Sequence, residues 1–182
     1  MAETFINLEK EILEYCYLTI LSLKDYYHNF TIEELKEDNR FNEINENEIF
    51  YWIDQLKKIN YFEIRTFSNR FDFRISLEGI LFLESFYMKG EQIFISLTID
   101  VLNFLKRVED GSIELYPGEG NQVGSIPIPE FLDIIGITEK EKQAKLGFVI
   151  DEITGYKEGE NYIYFNSFGS AGNRLVFFRT SY

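Results

Sequence analysis

Cysteine, histidine, proline and positive charge are all scarce in this chain of 182 residues. The single cysteine, Cys16, leaves no intramolecular disulfide to form, so nothing here calls for an oxidising compartment. One cysteine and one histidine, His28, are too few for a structural zinc site, which draws its ligands mainly from those two residue types. Three prolines and a hydrophobic fraction of 45% exclude a disordered acidic tail. Lys and Arg total 18 against 31 Asp and Glu, a net charge of −13. That deficit of cations argues against a general nucleic-acid coat or a polybasic membrane binder. The most apolar window, Ile93 to Leu105, is shorter than the roughly 20 residues that cross a bilayer, and it carries Asp100. The first residues, Met1 to Asn7, show neither the basic stretch nor the apolar run of a secretory signal, so a cytoplasmic location is expected.

What is abundant is helical periodicity, followed by alternation. Ile6, Leu8, Ile12, Leu13, Cys16, Ile20 and Leu23 recur three and four apart and mark one face of a long helix. Thr31 and Glu34 have the capping-box spacing that opens a short second helix. Asn45 or Asn47 caps a third, with Ile49, Trp52, Ile53, Leu56 and Ile59 as its buried stripe. Residues 61–65 and 71–75 then alternate as strands, and Ser68-Asn69-Arg70 between them reads as a hairpin tip. Ser76 caps a fourth helix that reaches Met88.

The second half runs in a parallel order. An apolar helix spans 93–108, and a short one spans 128–135 behind Pro127 and Pro129. Thr138 and Glu141 form a second capping box, before a helix whose face is Leu146, Val149, Ile150 and Ile153 and which stops at Gly155. Aromatic β-runs at 161–165 and 174–179 follow, joined by the turn-rich stretch 169–173. Charge is shared almost evenly: 10 cations against 17 anions over residues 1–89, net −7, and 8 against 14 over residues 90–182, net −6. Two domains are therefore expected, 1–89 and 90–182. Gly90 is the one break in a helical connector, and no flexible Gly/Ser linker is present.

Helix, short helix, helix and two-stranded hairpin, with Ile75-Ser-Leu-Glu-Gly-Ile-Leu-Phe-Leu-Glu84 leading out of it, resembles the winged-helix superfamily. The expected fold class is α+β, two tandem winged-helix domains joined by a helical connector. In length, acidity, tandem arrangement and closing aromatic strand (Leu175-Val-Phe-Phe178), the chain is similar to subunits of the ESCRT-II membrane-remodelling complex. That resemblance implies a protein adaptor.

No constellation of catalytic residues emerges, so neither an enzyme nor any cofactor or metal is expected. Cys16 falls on a buried stripe, where a thiol is inert packing. His28 sits at a helix end among Tyr26, Tyr27 and Phe30. Pro117 to Gly124 contains Gly-x-Gly-x-x-x-Gly, but no helix N-terminus follows to meet a phosphate, so an exposed connecting loop is expected, one able to order on a partner.

Two surfaces remain. Lys57, Lys58, Arg65, Asn69, Arg70 and Arg74 form a basic island in which only Glu63 and Asp72 oppose the five cations, and the winged-helix resemblance places it on the reading helix and the wing. Against nucleic acid, Glu43, Glu46 and Glu48 crowd the start of the would-be reading helix. Aromatics make up 17% of the chain, and Phe50 and Tyr51, like Tyr15 and Tyr17, fall where helix faces point outward. The reading that follows is a non-enzymatic protein-interaction adaptor with Phe50 and Tyr51 as partner contacts. The alternatives are a DNA-binding transcriptional regulator using the basic island, and an acidic DNA mimic. Oligomerisation is left open.

Overall fold

A stripe of Leu8, Ile12, Leu13, Cys16, Tyr17 and Ile20 is buried along helix α1, Ala2–Leu23, and each large apolar side chain of this kind stabilises the fold by roughly 1.5–3 kcal/mol. The computed structural model describes residues 2–67, 70–88, 92–118, 122–153, 156–158, 161–165 and 173–181. The chain is a mixture of helix and strand that divides into two units, Met1–Gln92 and Ile93–Tyr182.

In the first unit α1 packs on the helices and strands that follow it. Helix α2, Ile32–Glu37, begins as the capping box requires, with the Glu34 amide donating to Thr31 Oγ1 at 3.1 Å. The Glu34 carboxylate, however, is 2.9 Å from His28 Nε2. Asn45 caps α3, Glu46–Lys58, by accepting from the Asn47 amide. Ile49, Ile53 and Leu56 are its buried stripe, whereas Ile59, expected in that stripe, is the helix's C-cap and is exposed. Strands β1, Phe62–Phe67, and β2, Arg70–Ile75, form an antiparallel hairpin in which Phe62 faces Ile75 and Phe67 faces Arg70. Phe30, between α1 and α2, adds a single bridge to Phe73, with N–H···O distances of 2.7 and 3.0 Å. Helix α4, Leu77–Phe86, is capped by Ser76. Gly79 lets that helix approach the start of β1, since a Cβ there would sit 2.6 Å from the Tyr61 carbonyl oxygen.

The second unit opens with α5, Ile93–Glu109, and carries a five-stranded antiparallel sheet in the order β3-β4-β7-β6-β5. Its strands are β3, Tyr116–Pro117; β4, Gln122–Pro127; β5, Tyr156–Glu158; β6, Asn161–Phe165; and β7, Arg174–Ser181. Helices α6, Ile128–Ile134, and α7, Lys140–Glu152, lie between β4 and β5 in sequence. Rings close the core: Phe104 stands edge-on to Phe131 at 4.7 Å and tilts against Phe177 at 5.9 Å, and Phe94 stands edge-on to Phe148.

Several expectations are corrected here. Half of the stretch read as an exposed loop, Pro117 to Gly124, belongs to β3 and β4. Gly124 is buried, because a Cβ there would meet Leu115 and the Tyr116 carbonyl at 2.6 and 2.7 Å. Residues 119–121 lie outside the described residues. The second capping box does not form: the N-cap of α7 is Glu139, with no side-chain bond, and Glu139 and Glu141 instead take Lys142 and Lys145. The helical connector is interrupted, since α4 ends at Phe86 and α5 starts at Ile93. Residues 89–91, with Gly90, lie outside the described residues, as do Gly155 and most of the 169–173 turn.

Candidate interaction surface on the first unit

An α-helix with Ile49, Ile53 and Leu56 turned to the core must turn Asn47, Tyr51, Asp54 and Lys58 the other way. Phe50 lies at the edge of that outward face. The two aromatics are 45% and 53% exposed, unusual for side chains of their size on a helix with a complete buried stripe. They are nonetheless held. The Phe50 ring is 4.6 Å from the ring of Phe71 on β2, and Tyr51 stands edge-on to half-buried Trp52 at 5.3 Å. Rigid aromatics with a fixed backing lose little entropy when a partner covers them.

The charges around them are sorted by end. Glu43, Glu46 and Glu48 are exposed at and before the first turn of α3, and Lys57 and Lys58 are exposed at its last. Both ends suit the helix dipole. Lys58 Nζ is 2.8 Å from Asp54, one turn back.

One member of the basic island is turned away from solvent. Arg74 is a buried residue: its Nε and Nη2 donate to Glu63 Oε2 at 3.1 and 2.8 Å, and its guanidinium lies over the Tyr27 ring. Its place on a phosphate-facing wing is therefore corrected. A guanidinium in the last turns of β2 is carried inward because Glu63, directly opposite in the register, supplies a carboxylate there. Arg65 is exposed and shares Glu63, at 3.8 Å. Lys57 and Lys58 remain exposed on α3. Arg70 is the first residue of β2, and Asn69 and the Arg70 side chain lie outside the described residues.

Neither Tyr15 nor Tyr17 is a surface aromatic. Tyr17 is buried and its hydroxyl donates to Glu84 at 2.9 Å, joining α1 to α4. Tyr15 packs edge-on to Phe30 and Phe41. Burial pushes the Cys16 thiol well above its ordinary range, with the Glu34 carboxylate adding to the shift, so it stays protonated. His28 is held between Glu34 and Asp25, with its ring edge-on to Phe30. Sequence reasoning missed Phe71, the backing of Phe50. Its alternation with Asp72 was visible, but its neighbour across space was not.

In the second unit a cavity of about 330 Å³ is lined by Glu114, Leu115, Tyr116, Pro117 and Glu130. The Arg174 guanidinium lies over the Tyr116 ring at 4.8 Å. Among the described residues no group of three or more His, Cys, Asp and Glu side chains is placed to hold a metal ion. No described helix is long and apolar enough to cross a membrane. Comparison of the chain with protein-family models, curated proteins and solved structures finds no match.

Proposed function

We propose that this chain is a non-enzymatic tandem winged-helix protein that works through protein–protein contact at the outward face of α3. The winged-helix reading is supported by the pairings in both units. The first runs α1, the Phe30 bridge, α2, α3, β1 and β2, and the second α5, β3 and β4, α6, α7 and β5 to β7; in both, a strand position between the first two helices lies beside the last strand, Phe30 beside Phe73 and β4 beside β7. The observation that carries the interaction reading is the exposure of Phe50 and Tyr51 on a helix whose core face is already filled. Aromatic side chains on a rigid backing are the residues that anchor protein interfaces.

The same surface disfavours DNA. A recognition helix enters the major groove between rows of phosphates, and α3 would bring Glu43, Glu46 and Glu48 there while Arg74 is spent on Glu63. The test is direct. Co-purification of a partner at moderate salt is expected from the wild type and lost on Phe50→Ala with Tyr51→Ala. Titration into random duplex DNA at low salt is expected to show no binding. DNA binding abolished by Lys57→Ala and Arg65→Ala would replace this reading with the regulator. Partners that are all nucleic-acid binders released by salt would replace it with the DNA mimic.

A further inference from the structure

The outer edge of the first hairpin has no partner strand, and its charges match it to itself. We infer that β1 pairs antiparallel with β1 of a second copy of this chain, Ile64 facing its counterpart across a two-fold axis. This edge is separate from the outward face of α3, and the inference does not depend on the reading proposed for that face.

In an antiparallel pair, alternate residues turn their amide and carbonyl toward the partner strand, and the residues between turn theirs away. The Ser76 amide donates to the Tyr61 carbonyl, while Phe73 on β2 turns both of its backbone groups to Phe30. By the register of the hairpin, Glu63, Arg65 and Phe67 therefore turn to β2, and Phe62, Ile64 and Thr66 turn outward. None of these outward amides and carbonyls has a hydrogen-bond partner among the described residues. The other strand edges are short or occupied. Phe30 bridges the far side of β2, β3 has two residues of which one is Pro117, and β5 has three. β1 runs for six residues without a proline, and a long open edge of this kind recruits another strand.

Charge selects the register. Outward residues must face outward residues, so the pairing centres on Glu63, Ile64 or Arg65 if most of the strand is to overlap. Centred on Glu63, it sets two carboxylates opposite each other, and centred on Arg65, two guanidinium groups. Centred on Ile64, it sets Glu63 opposite Arg65 on both sides of the axis. Those are the non-hydrogen-bonded positions, where Cα atoms stand about 4.5 Å apart and side chains lie closest. Unlike charges directly opposite stabilise a sheet, and like charges destabilise it.

Both groups have capacity to spare. Glu63 meets Arg74 and Arg65 through Oε2 alone, which leaves Oε1 without a bond among the described residues. The Arg65 side chain is 44% exposed, and its ion pair with Glu63 is 3.8 Å long, beyond hydrogen-bond range. The net charge of −13 repels two copies at a distance. At physiological ionic strength a Debye length of about 8 Å screens that background far more than it screens side chains in contact. The overlap from Phe62 to Thr66 falls short of the roughly 800 Å² per partner of a standard interface, so the dimer is weak and concentration-dependent.

Sedimentation equilibrium of the full chain, from micromolar to millimolar concentration at physiological salt, reads it. The wild type is expected to dimerise. Arg65→Glu sets carboxylates opposite each other on both sides of the axis and is expected to lower dimer affinity about tenfold or more, whereas Arg65→Lys keeps it. Trp52 fluorescence in urea shows that each variant is folded. A cross-link reads the register. The chain's one cysteine, Cys16, is buried, so Ile64→Cys places the only thiol outside the core. Across the axis its Cα stands about 5.5 Å from its counterpart, within reach of a disulfide. Oxidised glutathione is expected to link that variant into dimers, and to link Thr66→Cys, which lies off the axis, far more slowly. A wild type that stays monomeric at every concentration overturns the inference. So does a folded Arg65→Glu variant of unchanged dimer affinity, or a Thr66→Cys variant that links as fast as Ile64→Cys.

Discussion

Both units set three helices, with a strand position between the first two, ahead of their closing strands, and they differ in the rest. The first has a two-stranded hairpin and a single bridge at Phe30, and its last helix before the hairpin, α3, presents Phe50 and Tyr51 outward. The second widens the corresponding sheet to five strands. Its equivalent helix, α7, is buried at six consecutive residues, Lys145 to Ile150. A stretch buried on all sides has no free face, whereas a helix with a single buried stripe keeps the opposite face free; the first turn of α7, Lys140 to Lys142, stays exposed. Similar elements thus leave an exposed aromatic face on α3 in one unit and a helix buried over its second half in the other.

Trp52 is the only tryptophan and lies in the first unit, so its fluorescence follows that unit while circular dichroism follows both. This allows the comparison to be broken at its core. Phe73 is fully buried against Phe30 and Phe62, and Phe73→Ala is expected to cost about 3–5 kcal/mol. It should shift the fluorescence transition in urea. Phe177→Ala, of similar burial in the second unit, should shift the dichroism and leave Trp52 fluorescence in place. Coincident shifts from both variants would mean that the units unfold as one.

A smaller effect sharpens the contrast between two identical motifs. Thr31→Ala removes the only side-chain cap of α2 and is expected to cost about 1 kcal/mol in the urea midpoint of the first unit. Thr138→Ala is expected to change almost nothing, because Glu139 occupies the N-cap of α7. An equal loss at the two sites would show that the second box closes in solution.

The smallest effect concerns acid stability. The Arg40 guanidinium donates to both carboxylate oxygens of Asp38 and lies over the Tyr15 and Phe41 rings, and this hydrogen bonding holds the Asp38 carboxyl below its usual range. A carboxyl depressed in the folded state stabilises it above the unfolded pKa of about 3.9. That contribution is lost as pH falls through the lower, folded value. Asp38 is partly solvated, so the contribution is about 1 kcal/mol or less. Urea midpoints taken below about pH 5 should fall less steeply for Asp38→Asn than for the wild type. Parallel curves would remove the pair from the account.

The helices of both units were legible in the sequence, because a buried stripe every three or four residues leaves its period in the chain. α1 and α3 were readable in this way, α5 from its apolar window, and α6 from Pro127 and Pro129 at its start. Strand β4 was not. Gln122 to Pro127 contains one glycine and ends on proline, and only its pairing with β7 makes it a strand. The candidate surface was half legible: Phe50 and Tyr51 stood off the stripe and Trp52 was beside them, but the backing of Phe50 by Phe71 comes from across the fold. The basic island misled for a related reason. Strand alternation gives Arg74 a side of the hairpin, but says nothing about Glu63 and Tyr27 waiting on that side.

The sequence by itself determined the scarcity of cysteine, histidine and cations, the even division of the charge of −13, and the placing of the helices. Composition and local period are properties of the chain and survive any fold. Only the tertiary structure decided which scarce cations still face solvent, which capping box closes, and that α3 keeps an aromatic face uncovered. Each of these depends on which neighbour covers a side chain, and burial against a neighbour is a property of the folded molecule alone.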